Sequence, residues 1–258
     1  MTEEQAGRLM LGLTSAAPHP LSQRLGASLD LAAIIRQAQS CDYQTPLDLA
    51  RFVPPNAFGN AASPCCVEVA YLLLAAMRRR AAMGSTWLPT GDQAIALLAK
   101  WGDPAEGTNL ADAQRLAAVQ GMPLGNDLDV CLSMQLPLDP AVLDAAAWLW
   151  GGILLCWALP LYLQDNPYAE TWDVAPPGAS DAATAPGGWG QHATASGRRD
   201  AIVSWGLQPE VTPAFQARYL VAAMACDSSD FMTTTGRTVP GFDRAQVPAL
   251  VRAFGGMA

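Results

Sequence analysis

Phe58-Gly59-Asn60-Ala61-Ala62-Ser63-Pro64-Cys65-Cys66 runs straight into Val67-Glu68-Val69-Ala70-Tyr71-Leu72-Leu73-Leu74-Ala75-Ala76-Met77. The first part carries Gly, Ser and Pro, which interrupt helices; the second is rich in helix formers. The junction falls at Cys66. A thiol in the first turn of a helix lies among backbone N–H groups without intrahelical partners, at the positive end of the helix dipole. Such surroundings favour the thiolate, which is the nucleophilic form. The pattern predicts a helix from Cys66 that ends near Gly84. Arg78-Arg79-Arg80 would close it by complementing the negative helix end.

The chain has 258 residues, enough to bury a core without disulfide or metal staples. A formal net charge of −8 argues against a nucleic-acid or anionic-membrane surface, which needs clustered Lys and Arg. Six cysteines, at 41, 65, 66, 131, 156 and 226, show neither metal-type CxxC spacing nor a short secreted framework. They read as reduced thiols in an intracellular compartment, and Cys41, Cys131, Cys156 and Cys226 read as core residues. No metal or cofactor is expected. Met1-Thr2-Glu3-Glu4-Gln5 lacks the basic start of a signal peptide. Ala145 to Leu163 has no charged residue and nearly the length of a membrane span. Gly151-Gly152 divides it, so it reads as a helix begun at Asp139-Pro140, a glycine turn, and a buried strand 153–159 ended by Pro160. Trp148, Trp150 and Trp157 read as core packing.

The rest is organised around this. Residues 1–28 read as a weakly structured lead-in, with His19 as a loop residue in Pro18-His19-Pro20, and residues 29–258 as one domain. Leu29 to Gln39 is a candidate helix, and Pro54-Pro55 closes the segment before Phe58. Thr90-Gly91-Asp92-Gln93 has capping-box spacing and starts a helix through Trp101. Thr108 is expected to cap another, stopped at Gly121. Residues 122–138 read as extended, with a strand at Val130-Cys131-Leu132. Residues 164–191 read as a long loop, a lid or a partner-binding arm. A hairpin is expected from His192 to Trp205, and a helix from Thr212-Pro213 through Phe215, Tyr219, Leu220, Ala223 and Met224. A short helix, Val247 to Phe254, closes the chain. Helices first and strands later give an α+β class.

One of only two histidines, His192, follows Gly187-Gly188-Trp189-Gly190-Gln191. An early Cys opening a helix and a late His after a glycine-rich stretch is the chain order of a papain-type cysteine hydrolase. That chemistry needs a thiolate, an imidazole, a group that orients the imidazole and an oxyanion donor. Cys66 and His192 fit the first two, and the Asn60 amide suits the oxyanion role. Val203-Ser204-Trp205-Gly206 lies where the orienting residue should come from.

These residues resemble the papain-like cysteine peptidase superfamily, which places Gln six residues before the Cys, then His, then an Asn-Ser-Trp-Gly strand. The chain is most similar to divergent members encoded by tailed bacteriophages and prophages. Those carry Gly-Asn-Asp-x-x-Gly-Asp-Cys, Gly-Gly-His and Thr-Trp-Gly segments, then a helix with an aromatic-x-x-x-Tyr pair. The counterparts are Gly59-Asn60 to Cys66, Gly190-Gln191-His192, Ser204-Trp205-Gly206, and Phe215 with Tyr219; Gly241-Phe242-Asp243 matches a further tail motif. The departures are Pro64 and Cys65 before the nucleophile, Gln191 for Gly, and Val203 where papain has its orienting Asn. Ser204 is the nearest substitute. The resemblance implies a helical lobe opening with the Cys66 helix and a strand-rich lobe carrying His192, with the site between. It implies a virion protein assembled in the bacterial host cytoplasm, partnered by other virion proteins or itself, without nucleic acid or membrane. Two readings stay open: a cysteine peptidase-like hydrolase of peptide or isopeptide bonds, and a non-catalytic virion component that keeps the fold as an interaction module.

Overall fold

The computed structural model describes residues 11–27, 31–39, 58–60, 62–124, 127–175, 177–198 and 200–228. In chain order the elements are β1 (Leu13–Ser15), α1 (Pro20–Ala27), α2 (Leu31–Gln39), α3 (Cys66–Met83), α4 (Gly91–Trp101), β2 (Thr108–Asn109), α5 (Leu110–Val119), β3 (Met122–Leu124), β4 (Asp127–Asp129), β5 (Cys131–Leu136), α6 (Pro140–Leu149), β6 (Ile153–Leu159), β7 (Thr171–Trp172), α7 (Asp181–Thr184), β8 (Gly190–Arg198), β9 (Ala201–Val203), β10 (Glu210–Val211), α8 (Pro213–Tyr219) and β11 (Leu220–Ser228). The class is mixed α+β, as the sequence suggests.

Helix ends follow local chemistry. Thr90 Oγ1 accepts from the Gln93 N–H, and Gln93 Oε1 accepts in return from the Thr90 N–H, a complete capping box. Asp139 caps α6 with Pro140 in its first turn. Gly84 takes the left-handed conformation (φ 65°) that ends α3. Helix α5 starts one residue later than expected. Asn109 is its cap, and its Oδ1 accepts from the Ala111 N–H, which leaves the Thr108 hydroxyl for another partner.

A seven-stranded sheet in the order β5-β11-β6-β8-β9-β10-β7 organises the core. Alternation along its central strands divides the apolar residues between two faces. Leu154, Cys156, Ala193, Ala195, Met224 and Cys226 share a cluster with α3, α4 and α5. Ile153, Leu155, Trp157, Ala223 and Ala225 share one with α6 and α8. Every residue of β6 is buried, since both faces are covered. Among the described residues no helix is long and apolar enough to cross a membrane. The charge-free stretch is the end of α6, a turn with Gly151 and Gly152 at positive φ, and β6.

Besides the Thr108 cap, four expectations are corrected. The helix from Pro213 ends at Tyr219, and Leu220–Ser228 is a strand lying between β5 and β6. The apolar run fits both periods, and pairing on both edges decides for the strand. The lead-in is built into the fold where it is described: β1 pairs in parallel with β2, and α1 packs on β5. Residues 164–191 are not one long loop. They hold the end of a 3-10 turn (Leu161–Asp165), β7 and α7. Among the bonds that anchor them, Tyr219 Oη donates to the Thr184 carbonyl (2.9 Å), and Thr212 Oγ1 donates to Asp173 Oδ1 (2.7 Å). Arg78 is not a solvated helix-end charge. It is fully buried, and its Nε donates to the Trp150 carbonyl at 2.9 Å, tying α3 to the turn after α6. Cys41, Pro54-Pro55, Gly241-Phe242-Asp243 and Val247–Phe254 lie outside the described residues.

Candidate active site

The N-terminus of α3 points at strand β8. Cys65 is the helix N-cap and supplies no side-chain cap, which leaves the first-turn N–H groups of Val67 and Glu68 to act on the Cys66 sulfur and the Glu68 carboxyl. Cys66 Sγ accepts from the Ala193 N–H at 3.4 Å. The sulfur therefore sits against β8 one residue from His192. Backbone N–H groups of Gly12 and Val67 also act on it. Burial nevertheless dominates and pushes the thiol up to about 12; the Ala193, Gly12 and Val67 N–H groups pull the other way, and Glu68 adds to the rise. As described, Cys66 is a protonated thiol at neutral pH.

His192 lies directly across from Trp157 in the β6–β8 register. Its ring stacks on Trp205 with centroids 4.3 Å apart and planes 16° from parallel. Trp189 also stacks on the Trp205 indole, with centroids 5.4 Å apart. His192 Nε2 bonds Ser204 Oγ at 2.9 Å, so Ser204 is the group that holds the imidazole. Val203, the residue in the expected orienting position, faces the α3 side of the sheet instead. His192 Nδ1 is buried with no hydrogen-bond partner, and no bond joins it to Cys66. If Nε2 carries the hydrogen and donates to Ser204, Nδ1 presents the free lone pair that a general base requires. Complete burial pushes this imidazole down to about 3.

Asn60 is 2% exposed, in the turn that leads to α3, and its Oδ1 has no hydrogen-bond partner. The Gly59 carbonyl closes that turn by accepting from the Ala62 and Ser63 N–H groups, both at 3.0 Å. Among the described residues, the non-glycine residues at positive φ are Phe58 and Trp205, both at 48°. One sits two positions before Asn60 and the other directly after Ser204. Strain of about 1–3 kcal/mol at such positions persists only where the surroundings fix it, and it clusters at functional sites.

Sequence reading missed three contributors. Glu68, in the first turn of α3, is quoted in the sequence only as part of the helical run, yet it is fully buried. It accepts from Thr108 Oγ1, and burial pushes its carboxyl up to about 7. Trp189 looks like part of a glycine loop, and only the fold brings it onto Trp205. The third is the segment at Gly12, which lies against the Cys66 sulfur. Its signal was a lone glycine between two leucines. Among the described residues no cluster of His, Cys, Asp or Glu could hold a metal ion. In comparisons with known proteins, no family model, no curated protein and no solved structure matches the chain.

Proposed function

We propose that this chain is a papain-like cysteine hydrolase of the phage-encoded type, held in a closed state. The observation that carries the reading is one strand, β8, bringing together the α3 N-terminus at Ala193 and a His192 ring bonded to Ser204 and roofed by Trp205. In the open state Cys66 Sγ transfers its proton to His192 Nδ1 and adds to an acyl carbon. The Cys66 N–H and the Asn60 amide hold the oxyanion. Collapse expels the amine, which takes the proton from His192. Water, deprotonated by the same imidazole, then cleaves the thioester and restores the thiol. Ser204 holds the ring through both steps, and Trp205 keeps water from its face. The substrate class is a peptide or isopeptide bond in a host envelope or virion protein, and the chain is carried on the virion.

A second reading is favoured by a separate observation. Cys66 and His192 are both fully buried, as an inert core pair in a structural virion component would be. Reaction with iodoacetamide at pH 6 separates the two. A Cys66 that reacts faster than a simple thiol, and loses that excess in His192→Ala, supports the hydrolase; a Cys66 at or below the simple-thiol rate in every accessible form of the protein leaves the structural role.

A further inference from the structure

Residues 11–15 meet the site in a way that an ordinary surface strand does not. The Gly12 backbone N–H acts on the Cys66 sulfur, and the Gly12 carbonyl accepts from the Thr108 N–H at 2.7 Å. From there the segment runs parallel to β2, with Leu13 opposite Thr108 and Ser15 opposite Asn109. A Cβ placed on Gly12 would overlap the Pro64 carbonyl oxygen, and one placed on Gly107 would overlap the Gly12 carbonyl. Backbone thus meets backbone on both sides of Gly12. Leu11 closes the other end: its Cδ1 lies 2.7 Å from where a Gly190 Cβ would stand, two residues before His192. Leu13 is buried, whereas Thr14 and Ala17 are exposed.

We infer that Leu11–Ser15 is an in-chain occupant of a peptide-binding crevice. This crevice runs between the Pro64–Cys66 turn, the Gly107–Asn109 edge and the start of β8. The segment shuts the site until it is displaced. The inference rests on the hydrolase reading for its consequence, since an acyl substrate must reach the Cys66 sulfur where Gly12 now lies. The occupant also defines what replaces it. The ligand is an extended peptide whose backbone pairs with Thr108, with glycine at the closest approach to Pro64 and leucine-sized side chains on either side. Any side chain at the middle position is excluded, because what it would meet is carbonyl backbone rather than a movable side chain. Displacement also rewets the sulfur. Burial is what keeps Cys66 protonated, and the Ala193 and Val67 N–H groups, which stay when the segment leaves, favour the thiolate, so opening the crevice activates the thiol.

The test is peptide-mapped iodoacetamide labelling of Cys66, with the sheet residue Cys156 as an internal monitor of global opening. Three proteins are compared: the full chain, a chain beginning at Ala16, and Gly12→Val. In the full chain Cys66 and Cys156, both buried, are expected to be slow. In the other two, Cys66 is expected to speed up about tenfold or more while Cys156 stays protected. The peptide acetyl-Leu-Gly-Leu-Thr-Ser-amide is expected to slow Cys66 again in the shortened chain, and its Leu-Val-Leu counterpart is not. The inference is overturned if Cys66 of the shortened chain stays as slow as Cys156 while its thermal transition is unchanged. It is equally overturned if both cysteines open together in both variants, which would make the segment part of the structural core, or if the two peptides act alike. Released Cys66 that reacts only at the simple-thiol rate at pH 6 leaves the crevice in place and removes the hydrolase.

Discussion

Burial holds the Glu68 carboxyl at about 7, above its ordinary 4.5, and the His192 imidazole at about 3, below its ordinary 6.5. The two act on stability with opposite signs. Between pH 4.5 and about 7 the folded chain keeps a proton on Glu68 that the unfolded chain has lost, so stability falls as pH rises through that window. Between pH 6.5 and about 3 the unfolded chain takes a proton on His192 that the folded chain refuses, so stability falls as pH drops. Across their overlap the slopes oppose each other. Glu68→Gln is expected to remove the first slope, raising stability at pH 7.5 by up to about 3 kcal/mol and leaving the His192 slope exposed. Urea melts at half-unit pH steps check this; an unchanged pH profile would mean Glu68 is not buried as a carboxylic acid. Ser204 makes a prediction of its own. Ser204→Ala is expected to let the His192 ring lose its single tautomer, seen in its ¹⁵N shifts, and to cut Cys66-dependent turnover by about tenfold or more. Ser204→Asn, which keeps an acceptor, is expected to retain both. Neither residue was fully legible beforehand. Ser204 reads in the sequence only as a substitute for a missing Asn, and nothing local marks Glu68, because its partner Thr108 lies 40 residues on.

At the scale of elements, polar residues that resemble each other in the sequence differ sharply in cost. Asp139 caps α6 from an exposed position, so Asp139→Ala is expected to lose about 1 kcal/mol. Arg78 is buried and holds the Trp150 carbonyl, so Arg78→Ala leaves both a void and an unsatisfied acceptor; about 3 kcal/mol or more is expected. Equilibrium denaturation of the two variants side by side decides, and an Arg78→Ala loss no larger than that of Asp139→Ala would return Arg78 to the role of a helix-end charge. Helix starts were readable because capping is local: Thr90-Gln93 and Asp139-Pro140 carry their own partners. The α8–β11 boundary was not. Phe215 and Tyr219 keep helical spacing, but Leu220-Val221-Ala222-Ala223-Met224-Ala225 would bury as well in a helix as in a strand. The decision rests on β5 and β6, more than 60 residues away in sequence. The same holds for 164–191, whose Pro, Gly and Ser content reads as loop while Trp172 and Thr184 are buried among distant partners.

For the whole molecule, the order of strands fixes an order of events. β5 and β6 are made before β11, which follows β6 by more than 60 residues, yet β11 lies between them and pairs with both. During synthesis the inner edges of β5 and β6 wait unpaired, with apolar faces already formed on each. Such open edges are templates for pairing with another chain. The sheet that carries His192 can therefore close only after translation has passed Ser228. A ribosome-bound chain stopped shortly before β11 is a client for chaperones rather than a partly working protein.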